Sequence, residues 1–195
     1  MELIHFAGGL FVTQGPKLIA GTWRGRKLAA PAGLETRPTG ARARQAVFDI
    51  LAHAPWAGAE FLRAARVLDG FAGTGAYGLE ALSRGALSAT FFEVSPPALA
   101  ALRANIAACK AEPQCHVVAG DVFAAPRGIP HALVFLDPPY GQDFVPKALA
   151  VLTARGWLAP GAVVVAELGP GDVFAPAEVL AERKHGKARL VFGRV

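Results

Sequence analysis

At 195 residues the chain is long enough for one domain with a real core and, at most, a small appendage. With 53% hydrophobic and 18% charged residues it is too apolar for wholesale disorder, and no apolar run is long enough to span a bilayer. The net charge of +5 is unevenly spread: residues 17–44 hold Lys17, Arg24, Arg26, Lys27, Arg37, Arg42 and Arg44 against one acid, Glu35, and the remainder is near neutral. Such a localised basic segment is the footprint of a polyanion binder; a solvated face kept for solubility is the plainer alternative.

Met1–Pro16 carries an acid at Glu2 and no basic n-region, so it makes a poor signal peptide and is expected to be a frayed lead-in. Two short extended pieces, Lys17–Ala20 and Arg26–Ala29, are predicted around the turn-rich Gly21–Gly25. After a Pro/Gly stretch from Pro31 to Gly40, Ala41–Ala52 reads helical, with Val47, Ile50 and Leu51 at apolar spacing. Residues 17–55 are therefore taken as a basic N-terminal extension and residues 60–195 as the main domain.

From Arg66 onwards, short apolar runs alternate with amphipathic segments. Strands are expected at Val67-Leu68, Ala89–Phe92, His116–Val118, Leu133–Leu136, Val163–Val165, Val179-Leu180 and Leu190–Phe192. Helical segments fall around Leu79–Leu82 and across Leu99, Leu102 and Ile106. This alternation specifies an α/β fold with a mostly parallel sheet covered on both faces. Gly186, between the last two strands, suggests a closing hairpin with one antiparallel strand. Cys109 and Cys115 lack a partner motif and read as ordinary thiols of a cytosolic protein, and the five histidines show no ligand spacing, so no metal site is expected.

Val67-Leu-Asp-Gly-Phe-Ala-Gly-Thr-Gly-Ala-Tyr-Gly78 is a strand running into a glycine-rich turn and a helix. Gly73, Gly75 and Gly78 fit the dinucleotide fingerprint, and Glu93 falls where that motif expects an acid, so a nicotinamide dehydrogenase is a rival reading. Asp69 weighs against it. A carboxylate leading into this turn would repel a pyrophosphate at the helix N-terminus, whereas S-adenosylmethionine carries a sulfonium and an ammonium that it would attract. Glu93 suits the ribose diol of either cofactor, and Asp121, after the third strand of the domain, is a candidate for the adenine amino group.

After Leu133–Leu136 comes Asp137-Pro138-Pro139-Tyr140. Two prolines fix φ twice and remove two N–H donors, leaving carbonyls on a rigid turn. An amino group conjugated to a base ring is a poor nucleophile, because its lone pair is delocalised. A carboxylate and a carbonyl that hold its two hydrogens out of the ring plane would localise that pair. Tyr140 offers a face for base stacking, a contact of about 1–3 kcal/mol in single-strand binding.

The Asp69–Gly75 loop and Asp137–Tyr140 together resemble the class I amino-methyltransferases acting on DNA adenines, glutamines and RNA guanines. Ile19–Leu28, Arg37–Phe48 and Asp69–Ala86 narrow the likeness to the bacterial 16S ribosomal-RNA guanine-966 N2 methyltransferases, and Lys184–Leu190 falls in the expected last hairpin. That resemblance, running from about Lys17 to the C-terminus, implies a Rossmann-like seven-stranded sheet, S-adenosylmethionine as methyl donor, and a guanine of 16S ribosomal RNA, in a small subunit or its assembly intermediate, as target. It places Asp69, Gly70, Phe71, Gly73, Gly75, Glu93, Asp121 and Val122 at the cofactor and Asp137, Pro138, Pro139 and Tyr140 at the chemistry. Arg24, Arg26, Lys27, Arg37, Thr39, Arg42 and Arg44 are expected to hold the RNA. A cytoplasmic monomer is expected. Methylation of a DNA adenine or a protein glutamine, and a non-catalytic RNA-binding assembly factor, stay open as alternatives.

Overall fold

The computed structural model describes residues 4–5, 11–31 and 38–195. The chain opens with an antiparallel sheet of β1 (Ile4–His5), β2 (Phe11–Lys17) and β3 (Lys27–Pro31), followed by helices α1 (Pro38–His53) and α2 (Ala59–Ala64). Strand β2 occupies residues that the sequence reading gave to a lead-in. It ends where the first extended piece was expected to begin. The reason lies in α3 (Ala76–Ser83): the amides of Ile19 and Ala20 turn from β3 to donate to the Glu80 carboxylate, at 2.7 and 3.1 Å.

The main domain continues with β4 (Arg66–Asp69), α3, β5 (Ser88–Glu93), α4 (Pro96–Cys109), β6 (Cys115–Ala119), β7 (His131–Leu136), α5 (Phe144–Ala154), β8 (Leu158–Leu168), β9 (Glu178–His185) and β10 (Ala188–Arg194). The sheet order is β6-β5-β4-β7-β8-β10-β9. Strands β6, β5, β4, β7 and β8 run parallel, and β10 inserts antiparallel between β8 and β9. The expected Rossmann-like α/β fold and its terminal hairpin are present. Helices α2 and α5 are elements that the apolar spacing did not mark.

Strand pleating sorts the core into two layers, because successive side chains point to opposite faces. Val67, Phe91, Leu133, Phe135, Val165 and Phe192 face one side, against Phe48 of α1, Leu79 of α3 and Leu102 of α4. Leu68, Phe92, Val134, Leu136, Val164 and Val191 face the other, against Val145 and Leu152 of α5 and Trp157. Burial on both faces is why these strands read as continuous apolar runs rather than alternating ones.

The extension is fastened to the main domain by buried polar groups. Ser83 Oγ accepts from the Trp23 amide at 2.9 Å and donates to the Ala20 carbonyl at 2.5 Å. Gly21, at φ 77°, passes so close that a Cβ there would lie 1.7 Å from the Ser83 carbonyl oxygen. Asn105 of α4, 3% exposed, pairs with Ala29 in both directions, accepting from its amide at 2.7 Å and donating to its carbonyl at 3.0 Å. The same amide nitrogen donates to the Thr74 carbonyl, at 3.0 Å, inside the glycine-rich loop.

Candidate active site

The carboxyl ends of β4, β5, β6 and β7 converge on a cavity of about 380 Å³. It is bordered by Gly70, Phe71 and Gly73 after β4, by Glu93 and Val94 after β5, by Gly120–Phe123 after β6 and by Asp137 and Pro139 after β7, with Phe144 of α5 closing one side. Open α/β sheets bind ligands at this edge. Sequence positions up to about 70 residues apart are thus gathered by parallel strand order alone.

The loop is built by backbone bonds to the neighbouring strands: the Gly70 amide donates to the Phe135 carbonyl and the Ala72 amide to the Phe92 carbonyl, both at 3.0 Å. Gly73 adopts φ 54° with open space beyond it, so the backbone borders the cavity directly. Gly75 does a different job from the one expected of it. It does not border the cavity; a Cβ there would lie 2.4 Å from Leu102, so it lets α3 pack against α4.

Asp69 also lies beneath the loop rather than on the cavity wall. It is 1% exposed, and its Oδ2 accepts from the Gly78 amide at 3.2 Å. Burial pushes its carboxyl up to about 7; the Gly78 and Phe71 amides oppose that shift and the nearby Glu93 charge adds to it. Glu93 Oε2 accepts from Gly73 at 2.7 Å, while Oε1 accepts from Val94 and Ser95 at 2.9 and 2.8 Å. A carboxylate has about four lone-pair sites, so Oε2 keeps one for a ligand hydroxyl. Asp121 is exposed on the cavity rim and caps the short Val122–Ala124 turn by accepting from Phe123 at 2.9 Å. Val122 is buried against the cavity, and Phe71, Phe123 and Phe144 form an aromatic cluster with centroids 5.1–6.3 Å apart.

In the Asp137–Tyr140 turn Pro138 is buried, and Asp137, Pro139 and Tyr140 are exposed. Tyr140 packs its ring against Gly169, where a Cβ would come within 2.5 Å of the ring, and its hydroxyl donates to Glu167. Asp172, 9% exposed, accepts from the Gly141 and Gly169 amides. Tyr77 stacks on Phe135 at 5.0 Å. Burial raises the pKa of its phenol well above the usual value, and the charges of Asp137, Glu167 and Asp69 add to that while Arg44 opposes it. Tyr77, Glu167 and Asp172 were not singled out from the sequence.

The basic extension divides. Arg24, Arg26, Lys27 and Arg42 are exposed, and Arg26 also donates to the Ala108 carbonyl at 2.7 Å. Arg44 does not fit the expected phosphate contact. It is 4% exposed, one terminal nitrogen donates to the Lys17 carbonyl at 2.7 Å, and its buried Nε has no hydrogen-bond partner. Burial lowers its pKa, with Glu80 and Tyr77 partly restoring it. Arg37 and the side chain of Thr39 lie outside the described residues. Among the described residues no group of three His, Cys, Asp or Glu is gathered to hold a metal ion, and no helix is long and apolar enough to cross a membrane.

Residues 16–194 match the family model described as Conserved hypothetical protein 95. Ribosomal RNA small subunit methyltransferase D of Escherichia coli is 39% identical over 153 residues, covering 77% of this chain and 73% of its own. The namesake from Haemophilus influenzae is 35% identical over 156 residues, covering 77% of each. The solved structure described as putative methyltransferase yhhF of Escherichia coli superposes with a TM-score of 0.78 at 37% identity, covering 91% of this chain and 97% of that one. The chain therefore belongs to the Conserved hypothetical protein 95 family, the family of the 16S ribosomal-RNA guanine-966 N2 methyltransferases that its basic opening and Asp-Pro-Pro-Tyr turn resemble.

Proposed function

We propose that the protein transfers a methyl group from S-adenosylmethionine to the exocyclic N2 amino group of a guanine in 16S ribosomal RNA. One observation carries the reading: Asp137 and Pro139 border the same cavity as Glu93 and the glycine-rich loop, so an amino group held by the turn lies beside whatever that loop binds. The donor set suits this cofactor. Among the described residues that line the cavity are three acids, Glu93, Asp121 and Asp137, and no Lys or Arg. That environment favours a cationic ligand over a pyrophosphate.

In this assignment Glu93 accepts from the ribose diol through its remaining lone pair, Val94, Val122 and Phe123 enclose the adenine, and Asp121 takes its amino group. Gly70, Phe71 and Gly73 present backbone to the amino-acid end, while Asp69 and Gly75 shape the loop from below. Bound there, S-adenosylmethionine supplies an electrophilic methyl carbon. Asp137 and the Pro138 carbonyl accept the two amino hydrogens, which restores the nitrogen lone pair and aims it into the cavity. The new N–C bond would form as the methyl–sulfur bond breaks, leaving the neutral thioether, and the nitrogen would shed one proton, for which the Asp137 carboxylate is the nearest base of the turn. Such positioning removes a large part of a two-reactant barrier.

Arg24, Arg26, Lys27, Arg37, Thr39 and Arg42 would hold the RNA backbone, and an unpaired guanine in a loop is the target most easily brought to the turn. The substrate particle is a small subunit or its assembly intermediate, and the enzyme acts as a monomer in the cytoplasm. Transfer of a labelled methyl group to small subunits, naked 16S RNA and duplex DNA, followed by nucleoside analysis, tests the reading. N2-methylguanosine is expected from the wild type and not from Asp137→Ala. Methyladenine in DNA would keep the turn's role and overturn the substrate; no transfer to any acceptor, with cofactor bound, would overturn the enzyme.

A further inference from the structure

Resting on the guanine reading above, we propose that Glu167 is the specificity-determining residue, accepting the N1–H of the target guanine while Asp137 holds the neighbouring amino group. In the parallel pairing of β7 with β8, Leu136, the last residue of β7, is the partner of Ala166, so Asp137, the first residue after β7, follows beside Glu167 of β8. Neighbouring strands lie about 5 Å apart, so one step past the Leu136–Ala166 pair Asp137 and Glu167 are still close neighbours. Both carboxylates also lie near enough to the Tyr77 phenol to add to the raising of its pKa by burial. Glu167 is partly buried and accepts a hydrogen bond from the Tyr140 hydroxyl, which occupies one of its acceptor sites and leaves others for a ligand donor.

Anchoring a tyrosine hydroxyl needs one neutral acceptor. A second carboxylate at the neighbouring strand end instead adds like-charge repulsion to the site. That cost is offset by a ligand edge made of donors. Guanine has such an edge, N1–H beside N2–H2, and the two acids with the Pro138 carbonyl accept all that it donates. Adenine and 2-aminopurine present a bare N1 lone pair at that point, which a carboxylate repels. A site built to hydrogen-bond a group rejects analogues that lack it far more strongly than an apolar pocket does.

The test uses small subunits reconstituted on 16S RNA carrying either guanine or 2-aminopurine at the nucleotide that the wild type methylates. 2-Aminopurine keeps the reactive 2-amino group and loses N1–H. The wild type is expected to favour guanine in kcat/KM, and Glu167→Gln, whose amide can donate to a bare N1, to lower that preference about tenfold or more. Glu167→Ala is the second variant, with the same direction expected, and thermal melting and cofactor binding check that both variants are folded. Tyr140→Phe removes only the hydroxyl partner and is expected to leave the preference as in the wild type. A uniform loss of rate on both bases in the Glu167 variants, matched by Tyr140→Phe, would reduce Glu167 to an anchor and overturn the proposal. Absence of N2-methylguanosine from the wild type would overturn the guanine reading itself, a separate failure.

Discussion

Asp172 holds Gly141, the residue that follows the Asp-Pro-Pro-Tyr turn: its Oδ1 accepts from the Gly141 amide at 2.9 Å, while its Oδ2 accepts from the Gly169 amide at the same distance. The Asp172 carbonyl in turn accepts from Arg189 at 3.2 Å. One nearly buried residue thereby ties the end of the turn to the loop after β8 through its carboxylate and to the last hairpin through its carbonyl. Asp172→Ala leaves two amides without acceptors and frees the turn, while the cofactor loop is untouched. The expected result is a fall in kcat of roughly 10–100-fold with cofactor affinity unchanged, and partial recovery in Asp172→Asn, whose single amide oxygen replaces one bond. Steady-state kinetics alongside calorimetric cofactor binding separates this from general loosening, which would lower both.

Asn105 does a comparable job at the other side of the fold. Its side chain acts as a length of strand, satisfying both the amide and the carbonyl of Ala29 and also the Thr74 carbonyl. Asn105→Ala strands all three groups in a region with little access to water. Leaving buried donors and acceptors unmet costs about 1–3 kcal/mol, which at this chain length is several degrees of Tm. Asn105→Asp keeps the acceptor for the Ala29 amide but sets a buried carboxylate against the Ala29 and Thr74 carbonyls, so it is not expected to rescue the loss. Thermal melting is expected to place both variants below the wild type; an Ala variant as stable as the wild type would mean that the extension is held by packing alone.

The sequence carried the strands and the order of the site, and the physical reason is local. A strand buried on both faces, such as Leu133–Leu136, is apolar throughout, and the acid or glycine turn that follows marks its carboxyl end. The buried polar groups left no such trace. Glu80 meets Ile19 across 61 positions and Asn105 meets Ala29 across 76, so nothing near either residue announces the bond. Glu167 and Asp172 act on the turn across 27 and 31 positions in the same way. Arg44 is a different case. Counted as one more cation it belongs with the basic face, yet it stands three, four and seven residues before Val47, Phe48 and Leu51, all fully buried. That spacing puts it on the inward stripe of α1, and reading the helix by period rather than by charge would have found it.

Under the proposed function, the surface cations of the extension are expected to carry the salt dependence of RNA binding. Arg24, Arg26 and Lys27 lie in the turn of the β2–β3 hairpin and at the start of β3, and all are exposed. Replacing the three by alanine is expected to weaken binding and to make the slope of log K against log salt shallower by about 2, since each phosphate contact contributes about 0.7 to 0.9. Arg44→Ala behaves differently: it lowers thermal stability and leaves the slope unchanged. An unaltered slope in the triple variant would remove the hairpin from the RNA interface.

Asp69 makes the stability of the free enzyme depend on pH with a sign opposite to that of a salt-bridged carboxylate. Burial raises its carboxyl from an ordinary value of 3.8 to about 7 in the folded state. Between those values the folded protein binds more protons than the unfolded chain, so stability falls as pH rises. The contribution is complete below about 4 and is lost as pH passes through 7. Asp69→Asn removes the titration and keeps an acceptor for the Gly78 amide. The stability difference, Asn variant minus wild type, is therefore expected to grow by on the order of 1–3 kcal/mol from pH 5 to pH 8, read from thermal or urea unfolding. A cation bound over the loop favours the ionised carboxylate, so saturating S-adenosylmethionine is expected to shrink that growth. A difference that is flat with pH would mean that Asp69 stays ionised in the free protein through its bonds to the loop amides, and that burial does not dominate there.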